Sequence, residues 1–155
     1  MQLLAGGRVR IRPMQAADLE GNAEWARIDP EKLRECYWKG QEDPQRGLFV
    51  VLNEDGERIG RVEYVAYRPS KRRTQCNISL SEKYTGQGYG TEALGIFSTF
   101  LFETLEIDAI GLIVYTKNER AIRCYQKCGY EIRHRFPDKG QLAMILERAS
   151  SQASL

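Results

Sequence analysis

Three glycines alternate in the stretch Ser81-Glu82-Lys83-Tyr84-Thr85-Gly86-Gln87-Gly88-Tyr89-Gly90-Thr91-Glu92-Ala93, just ahead of a run with helical spacing. The chemistry this suits is anion binding. Glycine lets a backbone approach a ligand with no Cβ in the way. The unpaired N–H groups of a helix's first turn point at the same place, so a phosphate or diphosphate fits there. No GxxxxGK[ST] string occurs, which excludes a Walker A loop. Gly88 to Ala93 matches the dinucleotide fingerprint GxGxxA. However, the preceding strand ends near Leu80 and the loop follows an antiparallel hairpin, so it does not open a βαβ unit.

A second stretch runs Asn118-Glu119-Arg120-Ala121-Ile122-Arg123-Cys124-Tyr125-Gln126-Lys127-Cys128-Gly129-Tyr130. Asn118 is a helix N-cap, Gly129 a terminator, and Ala121, Ile122 and Tyr125 share the inner face. That reading explains the caps but does not demand a tyrosine one turn after Ala121-Ile122, with Gly129 and Tyr130 four and five residues later. Four cysteines, Cys36, Cys76, Cys124 and Cys128, show no CxxC pair, and the one histidine, His134, is distant from them. They read as reduced, half-buried thiols rather than a metal site.

The elements that must position these groups follow from hydrophobic period and turn residues. Val9 to Arg12 alternates and meets Pro13, a first strand. Met14 to Arg27 reads as a helix. Asp29 caps a second helix that starts at Pro30, carries Leu33, Cys36 and Tyr37, and ends near Gly40. Leu48 to Leu52 and Arg58 to Tyr67 form a hairpin across Asn53-Glu54-Asp55-Gly56. Thr74 to Leu80 is a fourth strand. Tyr89 to Leu105 is an amphipathic helix, with Leu94, Phe97, Leu101 and Leu105 inward. Ala109 to Thr116, nearly all apolar, reads as a fifth strand buried on both faces. After the helix from Asn118, two strands close the chain, Tyr130 to Phe136 and Gln141 to Leu146. The order βααβββαβαββ makes one mixed α/β (α+β) domain over residues 1–155, with a polar tail from about 148.

Bulk properties restrict the function. The 155 residues carry 23 basic and 21 acidic side chains, a net charge of +2. That balance gives no basic field for nucleic acid. The cluster Lys71-Arg72-Arg73 reads as a solvated hairpin tip. No stretch approaches the ~20 apolar residues of a membrane span, and residues 1–7 have no secretory character, so a cytoplasmic location is expected.

On these two motifs the chain resembles the GNAT superfamily of N-acetyltransferases. The family's acyl-CoA loop, [QR]-x-x-G-x-[GA], is read here as Thr85 to Gly90. Its N-x-x-A-x-x-x-Y-x-x-x-G-[FY] string is matched in full from Asn118 to Tyr130. Thr85 departs from the usual Gln or Arg, and Gln87 is a candidate to compensate. The resemblance implies a sheet of about seven strands and four helices, splayed between the fourth and fifth predicted strands. It implies acetyl-CoA as co-substrate and no metal. Gly86, Gln87, Gly88, Tyr89, Gly90 and Thr91 would hold the diphosphate. Ile78, Ser79 and Leu80 would pair with the pantetheine arm, and Asn118 would touch it. Tyr125 would be the acid toward the coenzyme A sulfur. Glu63, on the third predicted strand, is the candidate base, and His134 a weaker one. Ribosomal-protein acetyltransferases often carry a glutamate five residues before the asparagine; here Ile113 stands there.

The acceptor implied is a primary amine. Gly60-Arg61-Val62-Glu63 and the layout resemble spermidine/spermine acetyltransferases, while a protein N-terminus and an aminoglycoside stay open. Acidic side chains at Asp18, Glu20, Glu24, Asp29, Glu31 and Glu35 would attract a cationic acceptor or simply face solvent. A non-catalytic acyl-CoA sensor is the alternative of another class. Dimers are frequent in the family, so a homodimer is compatible.

Overall fold

The computed structural model describes residues 4–149. Eight strands form one sheet: β1 (Leu4–Ala5), β2 (Arg10–Pro13), β3 (Gly47–Leu52), β4 (Arg58–Arg68), β5 (Arg73–Leu80), β6 (Ala109–Tyr115), β7 (Glu131–Phe136) and β8 (Gln141–Glu147). Their order is β1-β2-β3-β4-β5-β6-β8-β7. Three α-helices accompany them, α1 (Pro30–Glu42), α2 (Tyr89–Thr104) and α3 (Glu119–Lys127). The expected seven strands gain a short N-terminal one, so the predicted fourth and fifth strands are β5 and β6.

The expected helix over Met14 to Arg27 is not one. Two short 3₁₀ turns, Ala16–Leu19 and Glu24–Ala26, take its place. Gly21 between them has φ +77, a conformation that breaks a helix. Asp18 is also drawn inward rather than to solvent. It is 5% exposed and accepts from both guanidinium nitrogens of Arg12 at 2.8 Å and from Arg58 at 3.3 Å. Burial alone would raise the pKa of Asp18. The hydrogen bonds from Arg12 and the Gln15 N–H, with the charges of Arg12 and Arg58, outweigh it and hold the carboxyl below its ordinary range. Asp18 therefore leaves the set of acceptor-attracting acids. Glu20, Glu24, Glu31 and Glu35 are exposed. Asp29 caps α1 through the Lys32 N–H, as its position before Pro30 predicts.

Alternation along β3 divides the interior. Phe49 and Val51 face the core under α2, where Ala93, Leu94, Phe97 and Leu101 are fully buried. Val50 faces the opposite layer, with Trp25, Leu33 and Tyr37. The spacing of the α2 residues is that of one helix face, and each buried large side chain is worth roughly 1.5–3 kcal/mol.

β6 corrects a second expectation. Ile110, Leu112 and Val114 are buried, but Ile113 and Tyr115 are 45% and 65% exposed. Only one face of the strand is covered. The reason lies in its pairing. β6 is antiparallel to β8 along its whole length, yet meets β5 in parallel only at Arg73↔Ala109, Thr74↔Ile110 and Gln75↔Gly111. Beyond Gln75 the two strands part, leaving Cys76 to Leu80 paired to β4 alone.

Candidate active site

A cavity of about 230 Å³ opens where β5 and β6 part. Glu63, Asn77, Ile78, Ser79, Ile113 and Tyr125 line it. The antiparallel register Glu63↔Asn77 brings the first two together across the β4–β5 pair. The Asn77 amide donates to Glu63 Oε1 at 3.1 Å. Arg46 and Arg61 place guanidinium nitrogens 3.5 and 3.6 Å from the same carboxylate. Glu63 is 8% exposed, and its second oxygen, Oε2, is buried without a hydrogen-bond partner. The oxygen has an ion-pair contact with Arg46 Nη2 at 3.5 Å but accepts no hydrogen bond. It fits a site that completes itself on an incoming donor.

Tyr125 reaches the opposite wall from α3. Asn118 starts that helix by accepting the Ala121 N–H at 3.2 Å, and Gly129, at φ +95, follows its end. Burial, followed by the neighbouring thiols Cys124, Cys76 and Cys128, pushes the Tyr125 phenol up to about 12. It keeps its proton at neutral pH, as a proton donor must. Tyr130 anchors the end of the motif in the core, where its hydroxyl lies 2.8 Å from that of Ser98.

The glycine loop sits at the mouth of α2. Gly86 and Gly88 have φ +74 and +89, values only glycine holds cheaply. Gly88 is the N-cap of α2 and, having no side chain, leaves the amides of Tyr89, Gly90 and Thr91 without a side-chain cap. Nothing would contact a Cβ built on Gly86, so that side of the loop is open. These features fit an anionic diphosphate. The loop's own polar side chains do not help it. The Thr85 hydroxyl donates to the Glu82 carbonyl at 2.7 Å, and the Gln87 amide to the Lys83 carbonyl at 2.8 Å. Gln87 thus directs one of its two amide N–H groups into the loop rather than toward the open side. Tyr89 is turned inward, its hydroxyl donating to Glu54 at 2.5 Å.

The structure therefore gathers Glu63, Tyr125, Ile78 and Ser79 round one cavity, with Leu80 at the end of the same strand and Gly86 to Thr91 beyond it. His134 stands apart. It is exposed on β7, the far edge of the sheet, with its ring against Phe136. Asn77, Arg46 and Arg61 were not anticipated. Asn77 was within reach of the sequence, because the hairpin register that places Glu63 also fixes its partner. Among the described residues no three His, Cys, Asp or Glu side chains gather as a metal site, and no helix is long and apolar enough to cross a membrane.

Comparison with known proteins adds four findings. The Acetyltransferase (GNAT) domain family matches residues 8–131. The spermidine N(1)-acetyltransferase of Escherichia coli K12 is 33% identical over 150 residues, covering 86% of this chain and 80% of that protein. Among solved structures, a spermidine N-acetyltransferase from Vibrio cholerae in complex with CoA and spermine superposes with a TM-score of 0.75. Its identity is 21%, and the match covers 90% of this chain and 95% of that one. A dodecameric form of the V. cholerae enzyme gives 0.74 at 20% identity, over 92% and 95% of the two chains.

Proposed function

The chain belongs to the GNAT family of acetyltransferases, and from that membership we propose that it moves an acetyl group from acetyl-CoA to a primary amine of the polyamine type. One domain would carry the whole activity. The observation that bears most weight is the convergence of a buried, half-satisfied carboxylate and a proton-retaining phenol on one cavity between parted strands.

Acetyl-CoA would supply the thioester and, on acyl transfer, the thiolate that leaves. The chain's own residues then have these tasks. The open amides of Gly88 to Thr91 receive the diphosphate. The free edge of β5 at Ile78, Ser79 and Leu80 pairs with the pantetheine amides as an added strand. A backbone N–H of that edge faces the thioester oxygen and stabilises the charge that develops on it. Glu63 Oε2 takes the hydrogen bond of the incoming amine and accepts its proton, directly or through water. Arg46 and Arg61 beside it favour the amine in its neutral, nucleophilic form, since a second cation there is repelled. The Tyr125 hydroxyl gives its proton to the departing sulfur. Exposed Ile113 lies beside the cavity and suits the methylene spacer of an aliphatic amine better than a polar peptide flank. The identity to a spermidine acetyltransferase points the same way.

The test is a panel of amines with acetyl-CoA, followed as thiol release: spermidine, spermine, simple diamines, aminoglycosides and N-terminal peptides. Turnover with aliphatic polyamines, and little with the others, is expected. Turnover restricted to peptides or aminoglycosides would overturn the acceptor assignment. Tight coenzyme A binding with no turnover on any amine would leave a sensor instead of an enzyme.

A further inference from the structure

Arg8, in the turn between β1 and β2, lies against the glycine loop some eighty residues away. Its Nη2 donates to the Gln87 carbonyl at 2.7 Å. Its guanidinium carbon is 4.3 Å from the centre of the Tyr89 ring. Its Nε is 3.6 Å from Glu92 Oε2, and its backbone N–H donates to Glu92 Oε1 at 2.7 Å. Glycine leaves room for the approach on both sides. A Cβ on Gly6 would come within 2.6 Å of Glu92 Oε1, and one on Gly88 within 2.8 Å of Arg8 Nη2.

Two consequences follow for an anion at this loop. A trans peptide holds its C=O and N–H on opposite sides of the chain. Pinning the Gln87 carbonyl toward Arg8 therefore turns the Gly88 N–H the other way. The second concerns charge. Glu92 in the first turn favours the helix dipole but repels a diphosphate seated on the same amides. The guanidinium of Arg8 offsets that charge. Neither Thr85 nor Gln87 supplies a cation, and each side chain already donates a hydrogen bond within the loop.

We propose that Arg8 is the positioning residue of the diphosphate site, orienting the Gly88 amide through the Gln87 carbonyl and neutralising Glu92 beneath the ligand. This rests on the reading of the loop as the acetyl-CoA site. The experiment is calorimetry with coenzyme A, alongside steady-state kinetics, on wild type, Arg8→Lys, Arg8→Gln and Arg8→Gln/Glu92→Gln. Arg8→Gln should weaken coenzyme A about 10- to 100-fold, the range for a hydrogen bond to a charged group. KM for acetyl-CoA should rise in step, with kcat at saturation held within roughly threefold. Arg8→Lys, which keeps the charge, should lie between, and stands in if the glutamine variant does not fold. The double variant should recover several-fold in affinity over Arg8→Gln, because the repelling carboxylate is gone. Wild-type affinity in Arg8→Gln, a loss confined to kcat, or a double variant no tighter than the single one would each overturn the inference. Wild-type protein that binds no coenzyme A would instead overturn the loop assignment itself.

Discussion

Replacing Gly60 with alanine puts one methyl group between β4 and β5, one pair along from Arg61 and Ser79 in the cavity's wall. The new Cβ would lie 2.6 Å from Leu80 Cδ2 and 3.0 Å from Leu80 Cα, with the Ser79 carbonyl oxygen nearer still. Carbon atoms rest about 3.5–4.0 Å apart, so the Leu80 backbone must retreat by roughly half an ångström and its side chain by about one. A side chain can rotate away, but a paired strand cannot, and overpacking of this kind costs about 1–3 kcal/mol. For a chain of this size that is a fall in Tm of about 3–10 °C. The displaced segment is also the proposed pantetheine edge, and Leu80 Cδ1 lies 3.4 Å from where a Gly90 Cβ would stand in the diphosphate loop. A shift of about 1 Å at a positioning element can cost about 10²-fold, so kcat/KM should drop at least about tenfold. Thermal unfolding and thiol release with the best amine measure the two effects. Gly95→Ala is the control: it sits in α2 with nothing within 4 Å of its Cβ, and should gain about 0.5–1 kcal/mol. Gly60→Ala with unchanged Tm and activity would refute the claim that close approach of β4 to β5 shapes the site.

Tyr125→Phe removes a hydroxyl and little packing; kcat should fall about 10²-fold or more while Tm and coenzyme A affinity stay near wild type, and unchanged turnover would remove it from the acid role. Because burial raises this phenol to about 12, the neutral form persists well above the ordinary tyrosine range. The wild-type pH–rate profile should therefore show no descending limb from Tyr125 until pH approaches about 12. Asp18→Asn leaves Arg12 and Arg58 without their counter-charge. Their side chains are 25% and 32% exposed, so the loss should be about 2–3 kcal/mol, short of the ~3–5 of a fully buried pair. Asp18 has a depressed pKa in the folded state, so its stabilisation is present above the unfolded value of 3.8 and lost as pH falls below it. Acid titration of Tm should be shallower in the asparagine variant, and an identical acid limb would contradict the ion-pair account.

The loop at 86–90 and the string from Asn118 to Tyr130 were legible because each is local: caps, terminators and helix-mouth amides are set by neighbours in sequence. The hairpin across Asn53 and Gly56 was legible for the same reason. Asn53 Oδ1 accepts from the backbone of Asp55 and Glu57, and Gly56 has φ +79. What escaped depends on partners far along the chain. Asp18 cannot be read as buried until Arg58, 40 residues on, is known to reach it. The apolar run of β6 says nothing about which face is covered, because β5 departs after only three paired residues. Nothing local marks Arg8, whose partners Gln87 and Glu92 lie 79 and 84 residues on.

The parted strands also bear on solubility. From Cys76 to Leu80, β5 offers an unsatisfied ladder on the side β6 has vacated, and such a margin is a template for self-association. A thioester arm laid along it would close the ladder. At a hundredfold excess over its dissociation constant, any ligand confined to the folded state adds about 2.7 kcal/mol. Starved of acyl donor, the enzyme should scatter light on standing, and the same sample dosed with coenzyme A should stay clear.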